Sequence, residues 1–225
     1  MTMRLSRTTA GAIAAAVGLW AAVMSGQTQE TTGSALKKRL LTPAALTQTA
    51  PPTFRVVFDT TATPFVIEVH RDWAPHGADR FYNLVVNEFY DGCAFFRVVP
   101  KFMVQFGIQS DPAIQAAWQK ATISDDPVTR SNARGVVSFV AEGPNTRTTQ
   151  VFINYSDNKT LDAQGFAPFG QLVDGRDAPD TINAEYLERP DPHRLEREGR
   201  AYLLKEFPRL SYITHAYVDR GKPSK

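Results

Sequence analysis

The chain reads as a mainly β domain of the barrel or sandwich class, and three observations predict it. About eight short runs rich in Val, Ile, Phe, Tyr and Thr recur between Phe54 and Asp219. Gly, Pro, Asn and Asp divide them, as turns require. Helical spacing appears in only two or three stretches, which do not alternate with the runs as an α/β fold demands. With 225 residues, 43% hydrophobic and 11% aromatic, the chain can bury one full core and carry appendages. That composition excludes a disordered or fibrous protein.

Residues 1–25 read as a targeting segment. Arg4 and Arg7 precede an apolar run from Ala10 to Met24, and Val23-Met24-Ser25 offers a place for signal peptidase to cut. Export to a periplasm or secretion is therefore expected. An uncleaved membrane anchor is second, because the run is shorter than the ~20 residues that span a bilayer. A mitochondrial presequence is third, since its helix would be amphipathic and this run is apolar all round. Residues 26–52, rich in Thr, Gln, Ala and Pro with a basic cluster at Lys37, Lys38 and Arg39, read as a polar spacer in which Ala35 to Leu41 can form a helical turn or two.

The domain is expected over 53–220, with a short tail at 221–225. FRVVFDTTATPFVIEVH, from Phe54, holds two strand-like runs split by Thr60 to Pro64, the pattern of an antiparallel pair. From Pro75 the period changes. Phe81, Leu84, Val85 and Phe89 recur at three and four, Pro75 suits a first helical turn, and Asp91-Gly92 supplies a stop. A hairpin follows at Phe95 to Gly107. DPAIQAAWQKA, beginning at Asp111, predicts a short helix. Gly135 to Ala141, Gln150 to Tyr155 and Phe169 to Val173 predict strands, with turn chemistry at Gly143-Pro144-Asn145. Asp177 to Tyr186 is weakly helical, Arg194 to Phe207 more strongly so, and SYITHAYVD predicts a last strand.

The hairpin FFRVVPKFMVQFG organises the rest. Alternation places Phe95, Arg97 and Val99 on one face. If the Pro100-Lys101 corner resets the phase, Met103 and Gln105 share it. In the later strand Gln150 and Phe152 take one face, Val151 and Ile153 the other. Taken singly, such aromatics and Met are usually core, and such Gln residues usually surface.

Other chemistries find little support. Setting aside Arg4 and Arg7, the remaining basic side chains equal the 23 acidic ones, so no basic stripe suggests nucleic acid. His70, His76, His193 and His215 form no metal-binding pair, and the lone Cys93 reads as a small buried hydrophobe beside the helix end. There is no GxSxG elbow and no phosphate-binding Gly-rich loop.

FFRVVPKFMVQFG, GVVSFVAEGPNTRTTQVFIN and LDAQGFAPFG together closely resemble the successive signature blocks of the cyclophilin-type peptidyl-prolyl cis-trans isomerases. The resemblance runs from Phe54 to Asp219 and implies a closed eight-stranded antiparallel β-barrel capped by helices. It implies Arg97 as the catalytic residue, and Phe102, Met103, Gln105, Gln150, Phe152 and Leu161 as proline-pocket and substrate-binding positions. Three places depart from the pattern. Thr160 stands where many members have Trp. One extra residue between Leu161 and Phe169 puts Phe166 or Gly165 where a His is often found. Val140-Ala141 replaces an Ala-Asn pair along the substrate strand, which is said to bind peptide largely through main-chain groups.

These residue types suit the implied reaction. Rotation about an Xaa-Pro amide faces a barrier of ~18–20 kcal/mol, because resonance keeps the bond planar. The twisted amide gains a lone pair on the prolyl nitrogen, which a permanently charged guanidinium can hydrogen-bond. No cofactor or metal is needed. The expected partners are proline-containing peptides and unfolded or partly folded exported polypeptides, whose folding the protein would assist, with no nucleic acid, a membrane only if the leader stays uncleaved, and a monomeric state. The competing class is a non-catalytic proline-peptide-binding or chaperone module on the same fold, and a structural secreted barrel is third.

Overall fold

The computed structural model describes residues 33–221. The targeting segment and most of the tail therefore lie outside the described residues. The chain divides into an N-terminal unit ending at Lys37 and a second unit beginning at Lys38. Residues 33–40 are helical, in line with the turn or two expected there. Among the described residues no helix is long and apolar enough to cross a membrane.

Eight strands form one antiparallel sheet: β1 (Thr53–Thr60), β2 (Phe65–His70), β3 (Arg97–Val99), β4 (Met103–Phe106), β5 (Val136–Phe139), β6 (Val151–Asn154), β7 (Pro168–Asp174) and β8 (Ile213–Val218). Their order across the sheet is β3-β4-β6-β5-β7-β2-β1-β8. The expected closed barrel is corrected here, since the sheet is an open half-barrel. β3 and β8 do not pair as a ladder. The chain just before β3 meets the start of β8 through a single bridge, Ala94 to Tyr212, and a few backbone hydrogen bonds. β3 pairs with β4 over its three residues, and its Val98 amide donates to the Leu187 carbonyl rather than to β8.

Inside the curve lies an aromatic core. Phe58 stacks on Phe65 at 5.0 Å and meets Phe106 edge-on at 5.7 Å, and Phe81 and Phe139 approach Phe169 at 4.9 and 5.0 Å. Offset and edge-on geometry suits the ring quadrupoles, and each buried ring contributes on the order of 1.5–3 kcal/mol. Phe81, Leu84 and Val85 come from helix α1 (Pro75–Val86), which covers the sheet with the face its spacing predicts. α1 has no capping side chain of its own. Asp126 caps it from a distant loop, accepting from the His76 and Gly77 amides at 3.0 and 2.9 Å.

Two regions differ from the sequence reading. Part of the spacer is docked. Leu40 is buried with its carbonyl accepting from Trp118 Nε1 at 2.8 Å, Gln48 exchanges two backbone hydrogen bonds with the Asn83 amide, and the Ala50 amide donates to Asp79. Polar anchoring of this kind leaves no hydrophobic period to read. The second difference lies between Asp177 and Phe207. Asp177 to Tyr186 holds only a 3-10 turn, Ala178–Thr181. After α2 (Pro112–Trp118), the single later helix expected divides into α3 (Pro192–Glu198) and α4 (Arg200–Glu206) at Gly199. Gly199 has φ 64°, and a Cβ there would stand 2.5 Å from the Ser110 carbonyl oxygen. The two helices seal a satellite core in which Tyr186, Leu195, Tyr202, Leu203 and Phe207 meet Ala94, Phe96, Ile108 and Tyr212.

Candidate active site

The β3–β4 hairpin sets the site. Val99 and Phe102 close its turn with a 3.0 Å backbone bond, and Lys101 takes φ 63° behind Pro100. The turn resets the phase, so Arg97 pairs with Gln105 and Val99 with Met103. Arg97, Val99, Met103 and Gln105 thus share one face. Phe95, which strict alternation puts with them, instead joins the interior rings, 5.4 Å from Phe106 and 6.4 Å from Phe65. Phe95 and Phe96 lie outside the regular strand, and the phase shifts there.

β6 continues the same face. Gln105 pairs with Phe152 and Val104 with Ile153, so Phe152 faces the site while Val151 and Ile153 enter the core. The end of β4 must pass close to the chain feeding β6. Gly107, at φ 106°, permits this, because a Cβ there would lie 2.4 Å from the Thr149 carbonyl oxygen. That approach sets Gln150 beside Gln105.

Met103, Phe152 and Leu161 form a buried apolar cluster, 2%, 4% and 8% exposed, with Val99, Phe102, Val140 and Phe166 packed against it. Phe166 meets Phe152 edge-on at 5.7 Å. Leu161 ends a 3-10 turn, Lys159–Leu161, that leaves Thr160 exposed. A polar web holds this wall. Asp162 accepts from Ser131 Oγ at 2.6 Å and from the Asn132 amide and side chain at 2.8 Å, and Asn132 also donates to the Phe166 carbonyl. Burial pushes the Asp162 carboxyl up, but the Ser131 and Asn132 hydrogen bonds outweigh it and hold the group below its ordinary value. Phe102 is tied to the same wall, its carbonyl accepting from the Tyr155 amide and Asn158 Nδ2 at 2.8 Å.

A chain of polar groups borders the cluster. Arg97 Nη1 donates to Gln105 Oε1 at 3.3 Å, and Gln105 Nε2 donates to Gln150 Oε1 at 2.8 Å. The Val140 amide donates to the Gln150 carbonyl. Beyond Gln150 and Val140 opens a polar cleft of about 260 Å³, which Glu142, Thr146, His193 and Glu196 help to line. Ala141 is half-buried and outside the apolar cluster. The loop from Glu142 to Thr149 is anchored by Arg147, a buried guanidinium paired with buried Asp126 at 3.0 Å. A larger depression of about 450 Å³ between the end of α1 and β8 contains none of the expected site residues.

One neighbour was not anticipated. Glu188 Oε2 accepts from Arg97 Nε at 2.6 Å and Nη2 at 2.5 Å. It stands in a stretch with no periodic signal, 91 residues from its partner, so nothing in the sequence marks it. Cys93, by contrast, is fully buried and donates to the Phe89 carbonyl, and burial pushes its thiol well above the ordinary range. It behaves as the small hydrophobe expected.

A curved antiparallel sheet thus carries one arginine and two glutamines beside a buried apolar cluster, the arrangement the sequence resemblance implies for a prolyl isomerase. Comparison with known proteins makes the assignment definite. The family model described as "Cyclophilin type peptidyl-prolyl cis-trans isomerase/CLD" matches residues 55–197. A peptidyl-prolyl cis-trans isomerase of Acinetobacter baylyi is 34% identical over 121 residues, covering 52% of this chain and 64% of that protein. Peptidyl-prolyl cis-trans isomerase-like 3 of Neurospora crassa is 31% identical over 153 residues, covering 64% and 91%. A crystal structure of a Cryptosporidium parvum cyclophilin-type isomerase superposes with TM-score 0.55 at 20% identity over 76% of this chain and 99% of its own. A second, determined in the presence of the dipeptide Ala-Pro, gives 0.54 at 20% identity, covering 74% and 99%. The chain belongs to the cyclophilin-type peptidyl-prolyl cis-trans isomerases.

Proposed function

We propose that this protein catalyses rotation about Xaa-Pro bonds in extended polypeptides, with Arg97 as the catalytic residue. The observation that carries this reading is the shared face on which Arg97 and Gln105 border the apolar cluster of Met103, Phe152 and Leu161. Phe102, Met103, Phe152, Leu161 and Phe166 would hold the proline ring. Water exclusion there disfavours the charge-separated planar amide relative to the less polar twisted one. Gln105 and Gln150 would orient flanking carbonyls, while Val140 and Ala141 line the main-chain track of the peptide. The Arg97 guanidinium keeps donors for a prolyl nitrogen that becomes a good acceptor only when the amide twists, which is selective transition-state binding.

Such a charge-assisted hydrogen bond supplies about 1.5–3 kcal/mol, or roughly ten- to 150-fold in rate. Arg97→Ala is therefore expected to lose about that factor in a protease-coupled isomerisation assay, with peptide affinity by calorimetry nearly intact. Arg97→Lys keeps the charge without the planar fork and should recover only part of the activity. Full turnover in folded Arg97→Ala sinks the mechanism. Good peptide binding without turnover in the unmodified protein points to a binding module instead.

We also infer that the protein acts on exported chains and assists their folding, on the strength of Arg4, Arg7 and the Ala10 to Met24 run. Mass spectrometry of the native protein should find a mature chain starting near Gly26. An intact N-terminus in membranes would favour an anchor.

A further inference from the structure

The guanidinium of Arg97 has five N–H donors on three edges. Gln105 takes one from Nη1, and Glu188 takes Nε together with one from Nη2. The plane is thereby held at two points, one across the hairpin and one from outside the sheet. Two donors remain, one on Nη1 and one on Nη2, and the Nη2 donor lies on the outer edge between them. We propose that Glu188 is a positioning residue, which fixes the plane of Arg97 so that this edge faces the twisted prolyl amide. The inference rests on the isomerase reading above.

Three features make Glu188 more than a passing surface partner. The corner that carries it is clamped to β3, because the Val98 amide donates to the Leu187 carbonyl at 3.1 Å. Leu187 adopts φ 52°, a conformation a non-glycine residue keeps only where its surroundings enforce it. On one side the Leu187 amide donates to the Ala184 carbonyl at 3.1 Å, and the adjacent Tyr186 is buried in the satellite core that α3 and α4 help to build. Glu188 thus reaches Arg97 from an anchored corner.

The charge argument points the same way. A peptide lying in the groove covers Arg97, which is 36% exposed when free. Covering a lone cation is unfavourable, whereas a cation already paired and hydrogen-bonded loses less when water leaves. Glu188 therefore lets Arg97 keep its alignment when a peptide covers it.

The test is steady-state isomerisation by Glu188→Ala and Glu188→Gln, alongside Glu198→Ala, which breaks an exposed ion pair to Arg194 that does not touch Arg97. Glu188→Ala is expected to lose about fivefold in kcat/KM, expressed mainly in kcat. Glu188→Gln, whose amide oxygen still accepts, should recover part of it, and Glu198→Ala should match the unmodified protein. In NMR spectra, rotation about the Arg97 Nε–Cζ bond should be slow in the unmodified protein and faster in Glu188→Ala. Unchanged or increased turnover in Glu188→Ala, or an equal loss in Glu198→Ala, overturns the inference alone. Absence of turnover in the unmodified protein overturns the isomerase reading and this inference with it.

Discussion

The apolar cluster and the Arg97 guanidinium lie side by side on one face, yet they are held by different means. Met103 and Phe152 are placed by strand register, almost closed to water, and backed by the Asp162 web. Arg97 comes from the three-residue end strand, and its guanidinium is steadied by Glu188, itself 54% exposed. On the proposed reading, these buried, ladder-set residues belong to fold and site together, so altering them should disturb both. The Arg97 side chain is half-exposed and lies outside the apolar core, so altering it should disturb the proposed chemistry more than stability.

The sharpest way to break that contrast is Phe152→Ala. Emptying a buried aromatic site costs about 3–5 kcal/mol of stability, so urea unfolding should register a large loss and calorimetry a weaker peptide complex. A Phe152→Ala protein of unchanged stability would show that the pocket is not part of the core. Arg97→Ala, unfolded in the same way, should stay close to the unmodified protein.

Thr160 offers a way to extend the pocket. Many cyclophilins bind cyclosporin through an indole at this position, and Thr has neither the N–H donor nor the ring area. Inhibition of the unmodified protein should therefore be weak. Thr160→Trp should tighten it by about 2–4 kcal/mol, or 30- to 1,000-fold in an inhibition titration. Tight inhibition without the substitution would mean that the loop from Leu161 to Phe166 already supplies an equivalent surface.

The smallest effect expected is on the pocket wall in acid. Because the folded carboxyl of Asp162 is held below its unfolded value, its contribution is complete above that unfolded value and disappears as pH falls through the folded one. Melting temperature should fall less steeply with acid in Asp162→Asn than in the unmodified protein. Parallel acid profiles would remove Asp162 from the wall.

Much of this was legible because local rules and tertiary demands agree. The β1–β2 pair, α1, and the faces of β4 and β6 follow from period and turn chemistry, and the family blocks single out Arg97 and its neighbours. What escaped depended on single long-range contacts. Glu188 has no periodic partner, Leu40 and Gln48 dock through hydrogen bonds, and Gly199 breaks a helix because of a carbonyl on another segment. Phe95 was misplaced by an irregularity that alternation cannot foresee. The closed barrel failed for a related reason, since closure depends on how far two distant edges run together.

That open seam bears on solubility. An uncovered strand edge is a template onto which any extended chain can add, and extended chains are what an isomerase of this kind is proposed to grip. Here the backbone of β3 is occupied by Leu187, and the start of β8 by the segment around Cys93 and Phe95. The centre of β3 and the start of β8 are thus partly covered by the chain's own backbone, which leaves less of the sheet's ends for an added strand.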